Sequence, residues 1–180
     1  VEHLQIDPAK ITAIPLAADD RFEPITDQSV LDPVMQQFKT GSDFILHVGT
    51  INPRKNLEFL VRVFAQVRSQ LDRSFKLVIT GKTGWYYESL FQLVHDLRLD
   101  DAVIFTGYVS EPQKLALYNA ATVLVFPSLY EGFGLPPLEA MQCGTPVIAS
   151  KTSSIPKIFP FHWRGLMSSS TVIGRKSRTT

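Results

Sequence analysis

Apolar positions along the chain alternate between short continuous runs and longer segments with helical spacing. Short apolar runs predict buried strands, and a spacing of three to four residues predicts amphipathic helices. The strands are predicted at 44–48, 75–80, 103–106, 123–126 and 147–149. The helices are predicted at 56–71, 86–97, 110–121 and 136–143. The third helix should open with a capping box, because Ser110 is followed three residues later by Gln113.

Five apolar strands separated by helices predict an α/β fold. The expected form is a Rossmann-like, doubly wound parallel sheet with helices on both faces. In such sheets, ligands bind outside the carboxyl ends of the strands. The loops 49–56 and 127–135 each follow a strand, so we expect them to lie at this edge and share one ligand.

The regular alternation occupies residues 41–156, which we predict to be the ligand-binding domain. Residues 1–40 are expected to be a linker segment outside the core, with a short edge strand at 10–15 and with Pro24 and Pro33 as breakers. Residues 157–180 are expected to form an atypical basic tail that is disordered or truncated.

Charge is divided unevenly along the chain. All 17 Asp and Glu residues lie in residues 1–150, whereas residues 151–180 hold six Lys and Arg. The alternatives for this end are a solvated tail, a contact for anionic lipid or nucleic acid, and a truncated or frame-shifted terminus. We favour the solvated tail.

The protein's compartment is indicated by what the sequence lacks. The single cysteine, Cys143, excludes an internal disulfide and a cysteine-only metal cluster. No apolar run approaches the ~20 residues that a membrane-spanning helix needs. The first residues also lack the basic and apolar regions of a signal peptide. We therefore expect a cytoplasmic protein.

The segment after the fourth predicted strand carries the most informative chemistry. It turns through Gly132 and Gly134 and enters a helix at Pro136, where a missing N–H does no harm. Glu131 and Glu139 are eight residues apart and supply acceptors for sugar hydroxyls. A strand end, a glycine turn and a helix N-terminus together suit an anionic ligand. The residues alone therefore predict a nucleotide or phosphosugar site.

The loop 49–56 adds two cations, Arg54 and Lys55, at the same edge. Cations placed there would stabilise the negative charge that develops on a diphosphate leaving group. The alternative is an ordinary exposed basic pair before a helix. A helix start normally prefers acidic residues, so paired cations at this position are unusual. Paired glutamates also allow a glycosidase, which we rank lower because nothing builds a carboxylate cleft.

The segment 127–141 resembles the Glu-x7-Glu signature of the retaining glycosyltransferases of family four (group 1), which have the two-domain GT-B fold. The loop 49–56 resembles the first phosphate loop of that family. The segments 107–109 and 144–149 also match it in order and spacing. This resemblance covers residues 10–156. It implies that the chain is the C-terminal, donor-binding half of a mannosyltransferase-like enzyme.

The resemblance also implies roles for the charged residues. Glu139 would bind the ribose hydroxyls of a nucleotide-sugar donor, and Glu131 would contact the donor sugar. Arg54 and Lys55 would stabilise the departing diphosphate, with Arg54 replacing an arginine that many relatives carry where this chain has Thr50. Catalysis is thus assigned to Glu131, Arg54 and Lys55, with neither a metal nor another cofactor.

Further donor contacts are expected from loop backbone near the sugar, the phosphates and the base. These residues are Gly49, Gly81, Val109, Gly132, Phe133, Gly134 and Leu135. By contrast, His47 lies inside a core strand, where we expect it to be packed or hydrogen-bonded.

We therefore predict a hexosyltransferase domain that binds a nucleotide-diphosphate sugar for retaining transfer to a hydroxyl acceptor, in polysaccharide or glycolipid synthesis. The Pro-Arg-Lys-Asn sequence at residues 53–56 resembles that of bacterial mannosyltransferases of surface polysaccharide synthesis, which points to GDP-mannose and leaves a UDP-sugar open. The resemblance implies an N-terminal acceptor-binding domain that these 180 residues do not include, so we expect that this chain alone does not turn over an acceptor. Peripheral membrane association is expected for the full-length enzyme, and nucleic acid is not an expected partner. The alternatives are a binding module without activity and a GT-B-related sugar-nucleotide epimerase.

Overall fold

The computed structural model describes residues 6–12, 14, 16–70, 74–85, 87–158 and 171–174. The helices of this part are α1 (Gln28–Phe38), α2 (Leu57–Arg68), α3 (Glu88–Asp96), α4 (Glu111–Ala120), α5 (Leu135–Gln142) and α6 (Ile155–Ile158). Its strands are β1 (Phe44–Val48), β2 (Lys76–Thr80), β3 (Val103–Gly107), β4 (Val123–Phe126), β5 (Val147–Ser150) and β6 (Thr171–Gly174). Short 3₁₀ helices lie at Pro8–Lys10 and Pro53–Lys55.

The strands form one sheet in the order β3-β2-β1-β4-β5-β6. Strands β1 to β5 are parallel, which confirms the predicted Rossmann-like sheet. The chain winds outward from β1 through β2 to β3, then returns to the other side of β1 to form β4 and β5. The direction of winding therefore reverses between β1 and β4, and ligands bind at such a reversal in sheets of this kind.

Helices cover both faces of the sheet, as predicted, and each face has its own apolar core. Successive side chains of a strand point to opposite faces. Leu77 and Ile79 of β2 accordingly pack with α2 and α3, whereas Val78 packs in the core under α4 and α5. The predicted strand bounds agree with the structure to within one residue. Leu71 and Tyr86, the predicted end of α2 and start of α3, lie outside the described residues.

The predicted capping box at the start of α4 is present. The Ser110 hydroxyl accepts from the backbone N–H of Gln113 at 3.4 Å, and the Gln113 side chain accepts from the backbone N–H of Ser110 at 2.9 Å. This arrangement satisfies two helix N–H groups that have no partner inside the helix. It fixes the start of the helix that supports part of the site.

The prediction that residues 1–40 lie outside the core was wrong for the part from Phe22 to Phe38. This segment contains α1, and it buries Phe22 and Leu31. Pro33 lies within the helix and does not end it. The side chain of Asn119 on α4 holds the preceding loop, accepting from Ile25 N at 2.7 Å and donating to the Glu23 carbonyl at 3.1 Å.

The two chain ends differ from expectation in other ways. The predicted edge strand at 10–15 is not formed by the described residues of that range, and a 3₁₀ helix lies at Pro8–Lys10. Within the expected tail, β6 pairs antiparallel with β5 and adds a sixth strand to the sheet. Residues 159–170 and 175–180 lie outside the described residues. None of the described helices is both long enough and apolar enough to cross a membrane.

Candidate functional site

The loops that follow β1 and β4 meet at the carboxyl edge of the sheet. The backbone N–H of Leu129 donates to the Arg54 carbonyl at 2.9 Å. The Asn56 side chain donates to the Pro127 carbonyl at 3.3 Å. These bonds join segments more than 70 residues apart in sequence, and they place the two predicted ligand loops side by side.

Arg54, Lys55 and Glu131 form an ion-pair group at this junction, which we call the Glu131 cluster. Lys55 Nζ lies 2.6 Å from Glu131 Oε1, and Arg54 Nη1 lies 3.0 Å from Glu131 Oε2. Arg54 also donates to the Tyr130 carbonyl at 2.8 Å. Lys55 and Glu131 are buried, whereas the Arg54 side chain is 44% exposed. The cluster therefore presents a guanidinium to solvent above a buried ion pair.

The charge balance of the Glu131 cluster is positive. Burial raises the pKa of Glu131, but the hydrogen bond from Lys55 and the charges of Lys55 and Arg54 outweigh it and lower the pKa overall. The carboxylate is therefore ionised near neutral pH. Two cations face one carboxylate, so the cluster carries a surplus positive charge that suits an anionic ligand.

Gly49 and Gly81 allow the close approaches that build this edge. A Cβ on Gly49 would lie 3.1 Å from Lys55 Cε, and one on Gly81 would lie 2.2 Å from the Gly49 carbonyl oxygen. Their φ angles, +154° and +146°, are also rarely adopted by other residues. Both N–H groups donate within the protein, to Thr80 and Gly107. Ligand binding through these two N–H groups is therefore not supported.

The turn after Glu131 presents open backbone donors. Gly134 has a φ of +112° and precedes α5 without a side-chain cap. Among the described residues, no group accepts a hydrogen bond from the N–H groups of residues 132–135. A helix N-terminus with open N–H groups favours an anion or a sugar oxygen. The predicted contacts Gly132, Phe133, Gly134 and Leu135 lie in this turn.

Two serines after β5 hold the same turn from outside. The Ser153 and Ser154 hydroxyls lie 2.7 Å and 2.8 Å from the Glu131 carbonyl, to which they donate. Ser154 also lies 2.9 Å from the Phe133 carbonyl, an alternative acceptor for its single proton. No sequence pattern indicates this role, because serines in loops are common.

Glu139 lies in a second, separate group with Tyr118 and Lys114 of α4. The Tyr118 hydroxyl donates to Glu139 Oε2 at 2.7 Å, and Lys114 Nζ lies 3.4 Å from Glu139 Oε1. Glu139 is buried, and Tyr118 is fully buried. Sequence reasoning missed both partners. Their spacing of four residues puts them on one face of α4, but nothing in that spacing distinguishes them from ordinary packing residues.

His47 lies beneath the Glu131 cluster and is fully buried. Its Nδ1 donates to the Val125 carbonyl at 3.1 Å, which confirms the expected hydrogen-bonded core position. Burial is the main reason that the pKa of His47 falls to about 4. Val109 is also buried, so a contact with a base would have to come from its backbone. The described residues contain no group of three or more His, Cys, Asp or Glu suited to a metal ion.

The topology and this edge define an α/β domain with a Rossmann-like sheet and a candidate ligand site at the carboxyl ends of its strands. The family model for glycosyl transferases group 1 matches residues 32–168. The chain therefore belongs to the group 1 glycosyltransferase family, which confirms the resemblance seen in the sequence. Its sheet is that of one half of the GT-B fold.

Individual relatives agree with this assignment. The O-antigen chain mannosyltransferase B of Escherichia coli is 35% identical over 150 residues, which are 83% of this chain and 39% of that protein. The HepE protein of Anabaena, solved in complex with UDP, is 26% identical with a TM-score of 0.67, over 78% of this chain and 38% of that one. The C-terminal domain of the group 1 glycosyl transferase LpcC from Francisella tularensis is 25% identical with a TM-score of 0.66. The match covers 79% of this chain and 75% of the LpcC domain.

Proposed function

We propose that this chain is the donor-binding domain of a hexosyltransferase, which binds a nucleotide-diphosphate sugar and transfers the sugar, with retention of configuration, to a hydroxyl acceptor. The observation that carries the proposal is the Glu131 cluster beside the open N–H groups of residues 132–135. Both lie where the winding of the sheet reverses. The chain spans 39% of the length of its mannosyltransferase relative, so a second domain would supply the acceptor side.

The diphosphate is assigned to Arg54 and Lys55. Their surplus charge attracts the ligand, and it stabilises the charge that grows as the bond between sugar and phosphate breaks. Because Lys55 is held at 2.6 Å by Glu131, its ammonium is already oriented before the ligand arrives. This fixed cation takes the part that a divalent ion plays in other diphosphate sites, and a metal is not required.

The sugar and the ribose are assigned to the two carboxylates. Glu131, with the N–H groups of the turn that follows it, would contact the donor sugar. Glu139 would accept hydrogen bonds from the ribose hydroxyls. The base would contact the backbone of residues 81–82 and 108–109, at the ends of β2 and β3.

The donor that we propose is GDP-mannose. The mannosyltransferase relative supports mannose as the sugar. The Pro-Arg-Lys-Asn sequence at residues 53–56, which resembles that of mannosyltransferases, supports GDP-mannose as the donor. The UDP complex of HepE makes UDP-sugars the alternative to test. The full-length enzyme would act in polysaccharide synthesis, in the cytoplasm and at the periphery of a membrane.

Calorimetric titration of the 180-residue chain with GDP, GDP-mannose, UDP and UDP-glucose tests this function. We expect the chain to bind GDP and GDP-mannose selectively. This binding should be weaker in Lys55→Ala and in Glu139→Ala. Lys10→Ala, which removes an exposed lysine from the Pro8–Lys10 helix, is the matched control and should bind as the parent does. A folded chain that binds none of the four ligands would contradict the proposal. Selective binding of UDP would change the assigned base and leave the rest in place.

A further inference from the structure

The hydroxyl of Tyr118 is held in one position beneath the second carboxylate. Its ring packs edge-on against Phe22, with centroids 5.8 Å apart and planes at 75°. The Thr145 hydroxyl donates to the carbonyl of Tyr118 and fixes its backbone. The phenol then donates to Glu139 Oε2 at 2.7 Å. The orientation of the Glu139 carboxylate is therefore set by buried groups.

Lys114 approaches the other oxygen of the same carboxylate. Its Nζ lies 3.4 Å from Glu139 Oε1 and 3.2 Å from a Glu111 carboxylate oxygen. It also lies 4.8 Å from the centroid of the Phe22 ring. The ammonium thus shares its donors between two carboxylates, and its interaction with Glu139 is longer and weaker than that of Tyr118.

The acceptor sites that remain on the Glu139 carboxylate indicate which ligand groups it can bind. An ionised carboxylate can accept about four hydrogen bonds, two at each oxygen. Tyr118 uses one site on Oε2, and Lys114 uses one site on Oε1. One acceptor site therefore remains on each oxygen, and this pair matches the two O–H donors of a vicinal diol.

We infer that Tyr118 is a positioning residue which, with Lys114, orients Glu139 to recognise the paired 2′ and 3′ hydroxyls of ribose, so that the site selects ribonucleotides over deoxyribonucleotides. This inference rests on the proposed function, since it assigns the specificity of the same site. Tyr118 itself does not touch the ligand. Burial and the Glu139 charge raise the pKa of Tyr118 well above its usual value, so the phenol remains a donor at neutral pH.

The test compares the affinities of GDP and 2′-deoxy-GDP, and of UDP and 2′-deoxy-UDP, for the full 180-residue chain. For Tyr118→Phe, loss of one buried hydrogen bond should lower the preference for the ribonucleotide roughly three- to tenfold. Affinity for the deoxy compound should change little. A general loss of structure would weaken both ligands alike, so the ratio separates positioning from folding.

Two further variants keep the inference falsifiable if Tyr118→Phe unfolds. Lys114→Met retains the aliphatic stem over Phe22 and should lower the same preference by a smaller factor. Tyr87→Phe changes a half-buried tyrosine at the start of α3 and should leave the preference unchanged. Thermal unfolding of each variant shows whether it is folded.

The possible results distinguish this inference from the proposed function. If the parent chain prefers ribonucleotides and folded Tyr118→Phe and Lys114→Met keep that preference, the inference is overturned and the function stands. If the parent chain binds GDP or UDP and its deoxy form equally well, the inference and the ribose role of Glu139 both fail. If neither GDP nor UDP binds, the proposed function fails and the inference fails with it.

Discussion

Glu131 and Glu139 are the same residue type, lie eight residues apart and are buried to the same degree, yet their surroundings differ. Glu131 forms ion pairs with two cations, at 2.6 Å and 3.0 Å. Glu139 accepts a hydrogen bond from a neutral phenol at 2.7 Å and faces one shared lysine at 3.4 Å. The difference lies entirely in the partners that the fold brings to each carboxylate.

This contrast shows that Glu131 and Glu139 are suited to different roles because their partners differ. The cations around Glu131 exceed its charge, so that group is suited to hold an anion. The carboxylate of Glu139 keeps free acceptor sites, so it is suited to accept hydroxyl donors. The following predictions change the Glu131 cluster or residues that contact it, and the last one also changes Glu139.

The largest effect is expected for Lys55→Met. The substitution removes the closest partner of a buried carboxylate, and such losses typically cost about 3 kcal/mol or more of stability. Urea denaturation measures the change. The double variant Lys55→Met/Glu131→Gln should recover much of the loss, since it leaves no buried charge. A loss below ~1 kcal/mol in the single variant would show that the pair is not buried as described.

Stability should also depend on pH through His47, under the same cluster. Its pKa is about 4 in the folded protein and 6.5 in the unfolded chain. Between these values the unfolded chain binds a proton that the folded protein does not, so stability falls as pH drops from about 6.5 to about 4. The full fall is about 3 kcal/mol.

Denaturation at several pH values measures this fall in the parent and in two variants. His47→Phe should flatten the curve in this range, and His95→Gln, at an exposed histidine, should not. A second loss is expected as pH falls further, because Glu131 has a lowered pKa and its stabilisation disappears when it is protonated. An unchanged curve in His47→Phe would refute the assignment.

An intermediate effect is expected for Gly49→Ala. The new Cβ would crowd Lys55 at 3.1 Å and would impose a φ of +154° on alanine, a strain of about 2 kcal/mol. Nucleotide affinity should fall because Lys55 is displaced, whereas the preference for ribose should persist. For stability alone, Gly132→Ala is the control, because a Cβ there meets nothing within 4 Å. Equal destabilisation by both substitutions would argue against the crowding.

The smallest effect is expected for Ser153→Ala/Ser154→Ala. Loss of the hydroxyls that hold the Glu131 carbonyl should cost about 1 kcal/mol, because both bonds are partly exposed. Titration with GDP or UDP should show a modest fall in affinity with the ribose preference unchanged. A change in that preference would show that the two groups are coupled, which the described contacts do not indicate.

The sequence predicted the sheet well because its five strands are short apolar runs, and such runs carry their signal locally. The break predicted at Pro33 conceals α1, although Leu31, Val34, Met35 and Phe38 have helical spacing. The sequence missed β6 because its two apolar residues, Val172 and Ile173, form too short a run to stand out in a basic, serine-rich end. Helical spacing alone would have recovered α1, but only pairing with β5 defines β6.

The sequence predicts which residues form the candidate site, but it does not predict all the contacts between them and their partners. The sequence predicts the residues of the Glu131 cluster from two loops, and the structure shows that they meet. The roles of Tyr118 and Lys114 depend on how α4 packs against α5, and this is a long-range property that no local pattern contains. The donor contacts assigned to the site remain predictions.

The central claim is that the Glu131 cluster binds the diphosphate and Glu139 binds the ribose. The most direct test measures two ligand preferences in the parent chain and in one variant of each group. The affinity ratios of GDP to GMP and of GDP to 2′-deoxy-GDP would be measured for the parent chain, Lys55→Met and Glu139→Gln, or with uridine nucleotides if UDP is the one that binds. We predict that Lys55→Met loses the diphosphate preference and keeps the ribose preference, and that Glu139→Gln does the reverse. If each variant lowered both ratios equally, or neither ratio, the division of roles between the two carboxylate groups would be contradicted.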